Sequence, residues 1–188
     1  MTNLGKLGAK YWRLWSASAI SNLGDGITSV AYPWLASAVT RSPLLIAIVG
    51  FASRLPWLVF TLFAGVISDR FDRRKIILRM DLVRGFLTVI VAIVVMWKQD
   101  SLPKLNDLAG GSTVETNYFL YFVLVTTALL FGLAEVLRDN TAQTILPSIV
   151  DKENLEKANG RLWTAESLTN TFIGPPLGSF IIGIAIFL

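Results

Sequence analysis

Residues 65–75 read Gly-Val-Ile-Ser-Asp-Arg-Phe-Asp-Arg-Arg-Lys and lie between two long apolar segments. The first segment covers residues 44–68 and the second begins at Ile76. The membrane potential and anionic lipids keep basic loops of this kind on the cytoplasmic side of a bilayer. The pattern therefore predicts two membrane helices joined by a tight cytoplasmic loop.

The composition of the whole chain is typical of a membrane protein. Of its 188 residues, 53% are hydrophobic and 16% are charged, whereas about a quarter of the residues in a soluble domain are charged. Cys and His are both absent, which excludes disulfides, thiolate or imidazole metal sites and a proton relay through histidine. Any proton carrier must be Asp or Glu, and we expect no metal, no cofactor and no enzymatic activity.

Basic residues are distributed unequally between the two sides of the predicted membrane. The predicted cytoplasmic side carries Lys6, Lys10, Arg13, Arg70, Arg73, Arg74, Lys75, Arg79, Lys152, Lys157 and Arg161. The opposite side carries Arg41, Lys98 and Lys104. Binding of nucleic acid is excluded because it requires these charges on one solvated face, and apolar spans separate them here. The asymmetry predicts a cytoplasmic N-terminus.

Apolar segments predict about five membrane helices, at residues 12–38, 44–68, 76–97, 118–140 and 162–188. Each is long enough to cross the hydrocarbon core of a bilayer. The polar residues 98–117 are predicted to form an external loop. Residues 151–161 are predicted to form an amphipathic cytoplasmic connector, with Asp151 as a helix N-cap.

The basic loop also carries a family signature. The positions of the motif Gly-x-x-x-Asp-(Arg/Lys)-x-Gly-(Arg/Lys)-(Arg/Lys), found between helices 2 and 3 of the major facilitator superfamily, are occupied by Gly65, Asp69, Arg70, Arg73 and Arg74. This sequence departs from the motif at Asp72, where the family has a second Gly, although Asp is tolerated in tight turns. With this variant the chain resembles the branch that contains the enterobactin and macrolide exporters.

The resemblance implies an all-α transmembrane bundle with twelve helices in two halves, each built from inverted three-helix repeats. With about five helices, this chain is expected to be the N-terminal portion, lacking helix 6 and the C-terminal half. A complete five-helix protein is the less favoured alternative. The expected partners are the lipid bilayer, a small-molecule substrate, and either the missing half or a second copy. The expected location is the inner (plasma) membrane of a bacterial-type cell.

The resemblance further implies a conformational switch at the cytoplasmic ends of the helices. Asp69 is expected to engage a helix of the second half and to hold the outward-facing state, and Arg73 is expected to pair with an acid on helix 4. Asp139 is the candidate acid and Glu135 the reserve, in a cluster that includes Arg138. Anchoring to lipid headgroups is the alternative explanation, but it gives no reason for an acid at position 69.

Other charged residues are predicted at membrane depth. Asp25 lies about 20 Å from the start of helix 1 and Arg54 about 15 Å from the outer end of helix 2, at 1.5 Å per residue. A lone charge there costs at least ~2.5 kcal/mol, so we expect these two to meet and to face a cavity. The proton-coupling candidates are Asp25, Arg54 and Glu166; a purely structural ion pair is the alternative. Arg84 is expected to form only a local i, i+3 pair with Asp81.

Helix 5 carries Gly174-Pro175-Pro176-Leu177-Gly178. Its two prolines cannot donate backbone hydrogen bonds, which predicts a kink. Gly174, Pro175 and Gly178 resemble the Gly-Pro-x-x-Gly core of a helix 5 motif associated with exporters and proton-coupled antiporters of the superfamily.

These resemblances imply an exporter of small molecules, such as a siderophore, a macrolide or another drug. It would work by alternating access, driven by proton antiport. Two alternatives stay open: a membrane fragment or interaction module that transports nothing, and a half-transporter that works as a dimer.

Overall fold

The structure is a computed structural model that describes residues 7–98 and 116–187. Its helical elements are α1 Gly8–Val39, α2 Pro43–Arg70, α3 Arg73–Trp97, α4 Tyr118–Ile149, a 3₁₀ turn Lys152–Asn154, α5 Leu155–Ser167, a π-helical turn Leu168–Ile173 and α6 Gly174–Phe187. No strand occurs within these two ranges, in agreement with the predicted all-α class. By length and composition, α2, α3 and α4 are each able to cross a bilayer.

Short polar side chains begin several of these helices. The Oγ atom of Ser42 accepts a hydrogen bond from the amide of Leu45 at 3.5 Å, and so caps α2. Asp72 caps α3 by accepting from the amide of Lys75 at 3.1 Å, and Asn117 caps α4 in the same way. Each cap satisfies an amide that has no partner within its own helix.

Several helix ends lie elsewhere than the sequence predicts. The fourth helix continues from the predicted residue 140 to Ile149, and Pro147 lies in its last turn. The last helical run begins at Leu155 instead of residue 162. Asp151 precedes the 3₁₀ turn but makes no side-chain cap. The predicted external loop lies outside the described residues, except for its first residue and its last two.

Helix α4 lies at the centre of the bundle. It packs along α2 and α3, which barely touch each other, while α1 packs against α4 and against the run from α5 to α6. Half of the apolar span of α4 is buried, compared with 17% for α2 and for α3. A Cβ atom on Gly132 would overlap the carbonyl oxygen of Ser53, so the close approach of α4 to α2 requires glycine at this position.

Two apolar clusters fill the bundle, one toward each end. One cluster contains Tyr32, Ala36, Val39, Val49, Ala52, Leu87, Val91, Leu120, Tyr121, Leu124, Ala128 and Phe131. The other contains Leu7, Tyr11, Leu14, Ala142, Leu146, Val150 and Ala158. A set of polar residues lies between the clusters along α1, α3 and α4, and we call it the polar layer. Its members are Ser18, Ser21, Asn22, Asp25, Asp81, Arg84, Glu135, Arg138 and Asp139.

Candidate functional site

A buried ion pair joins the middle of α1 to the middle of α3. A guanidinium nitrogen of Arg84 contacts Oδ1 of Asp25, and both side chains are 7% exposed. Asp25 lies about 25 Å from the start of α1, and Arg84 about 16 Å from the start of α3, at 1.5 Å per residue. The guanidinium also lies 5.8 Å from the ring centre of Phe131, a distance that permits a cation–π interaction.

Hydrogen bonds extend this pair along α1 and α3. Nη1 of Arg84 donates to Oγ of Ser21 at 2.5 Å, and Ser21 donates to Oδ1 of Asp81 at 3.2 Å. Arg84 also lies 3.9 Å from the same oxygen of Asp81. The ion pair is therefore one part of a larger network.

Arg138 is the second buried cation of the polar layer, and its side chain is fully buried. It donates to Oδ1 of Asp139 at 3.0 Å and to Oγ of Ser18 at 3.0 Å. Its Nε atom lies 3.5 Å from Oδ1 of Asp81. Through these contacts, the two arginines of the layer are shared among three aspartates.

A cavity of about 180 Å³ opens beside the ion pair, between α1, α2, α4 and the π-helical turn. Its polar lining comprises Asp25, Thr28, Ser29, Tyr32, Ser53, Arg54, Glu135 and Asn170. Oδ2 of Asp25 is buried and has no hydrogen-bond partner among the described residues. The amide of Asn170 donates to Oδ1 of Asn22 at 3.3 Å, which ties the π-helical turn to the polar layer.

The structure brings Asp25 and Arg54 to one cavity, but the ion pair of Asp25 is formed with Arg84 and not with Arg54. Arg54 is exposed and lies within electrostatic reach of Glu135. Arg84 is more than the local partner of Asp81 that the sequence suggested. It lies deep in the bundle because α3 already begins at Arg73, which moves position 84 further along the helix.

The predicted switch pair takes a different form as well. Asp69 and Arg73 form an i, i+4 ion pair at 3.0 Å, with side chains 69% and 35% exposed. Arg73 does not pair with Asp139, because the Asp139 carboxylate lies against the neighbouring Arg138. In this conformation, Asp69 and Arg73 therefore form one ion pair, and Asp139 forms a separate ion pair with Arg138.

The other motif positions lie on open surface. Arg70 and Arg74 are exposed, and no atom lies within 4 Å of where a Cβ on Gly65 would stand. Asp72, which replaces the family's second glycine, has φ −62° and ψ 109°. The turn therefore does not need the left-handed conformation that favours glycine, and Asp72 serves as a helix cap.

Glu135, a member of the polar layer, is half-buried. Glu166 lies beside the layer and is also half-buried. Glu135 lines the cavity and lies within electrostatic reach of Arg54 and Asp139. Glu166 lies in the last turn of α5, within reach of Arg138 and Asp139, and it does not line the cavity. These two groups add further acidic side chains to the surroundings of Arg138 and Asp139.

The predicted irregularity of helix 5 lies just before its prolines. The run from Leu155 to Phe187 changes to π-helix over Leu168–Ile173 and returns to α-helix at Gly174. A proline ring clashes with the carbonyl group one turn earlier in a regular α-helix. A π-helical segment at that place relieves the clash because its hydrogen bonds span five residues.

Two glycines of the helix 5 motif bring α6 against the backbone of α1. A Cβ atom on Gly174 would stand 2.6 Å from the Cα atom of Gly26. One on Gly178 would stand 3.0 Å from the carbonyl oxygen of Ile27. Gly26 is adjacent to Asp25, so this close contact fixes α6 beside the acid of the ion pair.

Comparison with known sequences decides the family. Residues 4–185 match the profile of the family described as transmembrane secretion effector. The chain belongs to this family of major facilitator superfamily transporters. The resemblance inferred from residues 65–75 is confirmed.

Individual relatives of the chain are efflux and siderophore transport proteins. The multidrug efflux pump Tap of Mycobacterium tuberculosis is 29% identical over 170 residues, which cover 88% of this chain and 36% of the pump. The staphyloferrin A transporter of Staphylococcus aureus is 23% identical over 76% of this chain and 32% of the transporter. Macrolide efflux protein A of Streptococcus pyogenes is 27% identical over 48% of this chain and 22% of that protein.

The chain spans about a third of the length of the curated relatives it matches, 36% for the Tap pump and 32% for the staphyloferrin A transporter. No solved structure matches it significantly.

Several members of the polar layer were not singled out from the sequence. Ser18, Ser21 and Asn22 are small polar residues, common in any helix, and carry no pattern of their own. Arg84 was expected to pair only with Asp81, although it lies about 16 Å along α3 from Arg73 at 1.5 Å per residue. The depth argument used for Asp25 would have found it.

Proposed function

We propose that this chain forms the N-terminal, five-helix part of an exporter of small molecules that works by alternating access and proton antiport. The five spans would be α1, α2, α3, α4 and the run from α5 to α6. Membership of a transporter family and the efflux proteins among the relatives support export.

The observation that carries the proposal is the polar layer beside the cavity. Intramembrane charges are rare and usually belong to ion or proton pathways. Asp25 has one carboxylate oxygen against Arg84 and the other without a hydrogen-bond partner in the described structure. If Arg84 withdrew from Asp25 during a change of access, the carboxylate would take a proton from one side. Return of Arg84 to Asp25 would favour release of the proton to the other side of the membrane.

The substrate would be a small amphipathic molecule. The cavity of about 180 Å³ is smaller than the 300–1,000 Å³ of typical drug-sized sites. A full substrate path therefore needs a second wall from other helices. The siderophore and drugs named for the relatives define the compounds to test first.

The test of coupling replaces Asp25 by Asn, which preserves the shape and removes the titratable group. The full-length parent gene would be expressed in a pump-deficient bacterial host, with efflux of macrolides and cationic dyes measured under an imposed pH gradient. We expect Asp25→Asn to abolish export driven by the pH gradient, while Asp151→Asn, an exposed control, exports normally. If the Asp25→Asn protein still concentrates substrate with an unchanged dependence on the gradient, Asp25 is structural and Glu166 becomes the candidate.

The proposed orientation places the N-terminus and residues 69–75 in the cytoplasm. Single cysteines at Ser101 and Ser112, in this naturally Cys-free chain, should react with an impermeant thiol reagent added to intact cells. A cysteine at position 72 should react only after the cells are opened. Labelling of position 72 in intact cells would reverse the orientation.

A half-transporter that pairs with a second copy is the second candidate, because a second copy could supply the second wall that a full substrate path needs. Chemical crosslinking of the chain in mild detergent distinguishes the two. A stable dimer at low protein concentration supports the half-transporter. A monomer supports a part of a longer transporter, or a membrane module without transport.

A further inference from the structure

A groove of about 560 Å³ lies where α1 and α3 begin and α4 ends. Its walls are apolar and are formed by Leu14, Ala17, Ile77, Leu78, Ile145 and Ile149. Lys10, Arg13 and Arg74 line the same groove and are exposed. The groove thus combines an apolar floor with a basic rim.

The basic residues of the rim lie at helix ends where positive charge is unfavourable. The N-terminal end of a helix carries partial positive charge and is stabilised by acids. Neither α1 nor α3 has an acid in its first turn. Lys10 and Arg74 occupy those turns instead, and among the described residues neither forms an ion pair. An anion bound at the rim would balance the start of α1 and three side chains at once, whereas Asp72 already caps the start of α3.

The position of the groove selects the kind of anion. It lies at the ends of α3 and α4, which are long and apolar enough to cross a bilayer, so its rim would lie at the level of the lipid headgroups. A basic pocket between such helices with an apolar wall fits a phosphate group joined to an acyl chain. A free phosphate would leave the wall formed by Ile77, Leu78 and Ile145 uncovered.

We propose that this groove binds one anionic phospholipid, with its phosphate among Lys10, Arg13 and Arg74 and an acyl chain along the apolar wall. The proposal rests on the proposed orientation only for the leaflet, which would be the cytoplasmic one. Asp81 also lines the groove and accepts a hydrogen bond from Ser21 of the polar layer. A bound lipid would therefore shield the polar layer from cytoplasmic water on this side.

The experiment compares two double variants that remove equal charge. Lys10→Gln/Arg13→Gln removes two rim residues, whereas Lys75→Gln/Arg79→Gln removes two basic residues near the start of α3 that do not line the groove. Purified protein in micelles is titrated with phosphatidylglycerol or with phosphatidylcholine of the same acyl chains, and bound lipids are counted by native mass spectrometry. Transport is not measured, so this proposal and the export function fail independently.

We expect the unmodified chain and the control variant to bind one phosphatidylglycerol in preference to phosphatidylcholine. The rim variant should raise the Kd for phosphatidylglycerol about 30-fold, since each basic residue near the membrane surface contributes about fivefold. Equal losses in both variants, or no preference in the unmodified chain, would overturn the proposal. Displacement of the lipid by equimolar glycerol phosphate would overturn it too, because it would identify a site for free phosphate.

A measurement without substitutions guards against a misfolded variant. Phosphatidylglycerol with a photoreactive acyl chain should crosslink to peptides that contain Ile77 and Leu78 or Ile145 and Ile149. Labelling confined to other lipid-exposed residues, such as Leu58 and Leu62 of α2, would contradict the assigned groove.

Discussion

The ion pairs Asp25–Arg84 and Asp69–Arg73 have the same chemistry and opposite surroundings. In the first both side chains are 7% exposed, and in the second the exposures are 69% and 35%. Exposed pairs contribute about 0–1 kcal/mol, whereas breaking a buried pair by removing one partner costs about 3–5 kcal/mol. The pair that carries the family motif is therefore the weakly held one, and the pair that joins the helices has no motif.

The largest effect is expected from breaking the buried pair. Arg84→Ala should lower the free energy of unfolding by about 3–5 kcal/mol, because it leaves Asp25 unpaired in the bundle. The measurement is unfolding of the purified chain in mixed micelles with increasing SDS, followed by circular dichroism. The double variant Asp25→Ala/Arg84→Ala should lose less than the sum of the single losses. Strict additivity would show that the two residues do not interact.

A smaller effect is expected from glycine substitutions in the same two regions. Gly174→Ala should destabilise the chain by about 1–3 kcal/mol, because the new Cβ meets the backbone of α1 and forces α6 away. Gly65→Ala, at the first position of the loop motif, should be neutral or stabilising by up to ~1 kcal/mol, since open space surrounds it and Ala favours helix. If both variants lowered the free energy of unfolding equally in the same SDS titration, the two regions would not differ in how tightly their glycines are packed.

The smallest effect is expected from the exposed pair. Arg73→Ala should change the free energy of unfolding by less than about 1 kcal/mol, and the change should shrink further at 1 M NaCl, because salt screens exposed charges. The effect of Arg84→Ala should be nearly independent of salt. A loss of several kcal/mol on removal of Arg73 would mean that Asp69 and Arg73 have further partners in the folded chain.

The sequence predicted the family and helical class, because both follow from local features: a basic loop with an acid at position 69, and apolar runs long enough to cross a bilayer. It also predicted that Asp25 lies far from the ends of its helix, and Asp25 is buried in the bundle. The partner of Asp25 was not predictable in the same way, since the choice between Arg54 and Arg84 depends on which face each helix turns toward α1. Tertiary packing determines which arginine pairs with Asp25, and the local sequence pattern does not contain this information.

The helix 5 motif shows the same limit. Its glycines and prolines predicted an irregular helix, and the sequence placed the irregularity at the prolines. The location over Leu168–Ile173 depends on contacts of Asn170 with Asn22 and of Gly174 with Gly26, which are distant in the chain. Likewise, in this conformation Arg73 pairs with Asp69 and Asp139 pairs with Arg138, and the local sequence does not indicate this choice of partners.

The π-helical turn determines which residues of its helical run face α1. Tyr11 of α1 donates a hydrogen bond to the carbonyl oxygen of Ala158, and Gly174 touches Gly26 further along the same helix. In an uninterrupted α-helix, Ala158 and Gly174 would point about 160° apart, on nearly opposite sides. The slower winding of the π-helical turn brings both toward α1. In genetic terms, deletion of a single codon within 168–173 should be more harmful than most missense changes there, because it would shift the exporter motif out of phase with the rest of its helix.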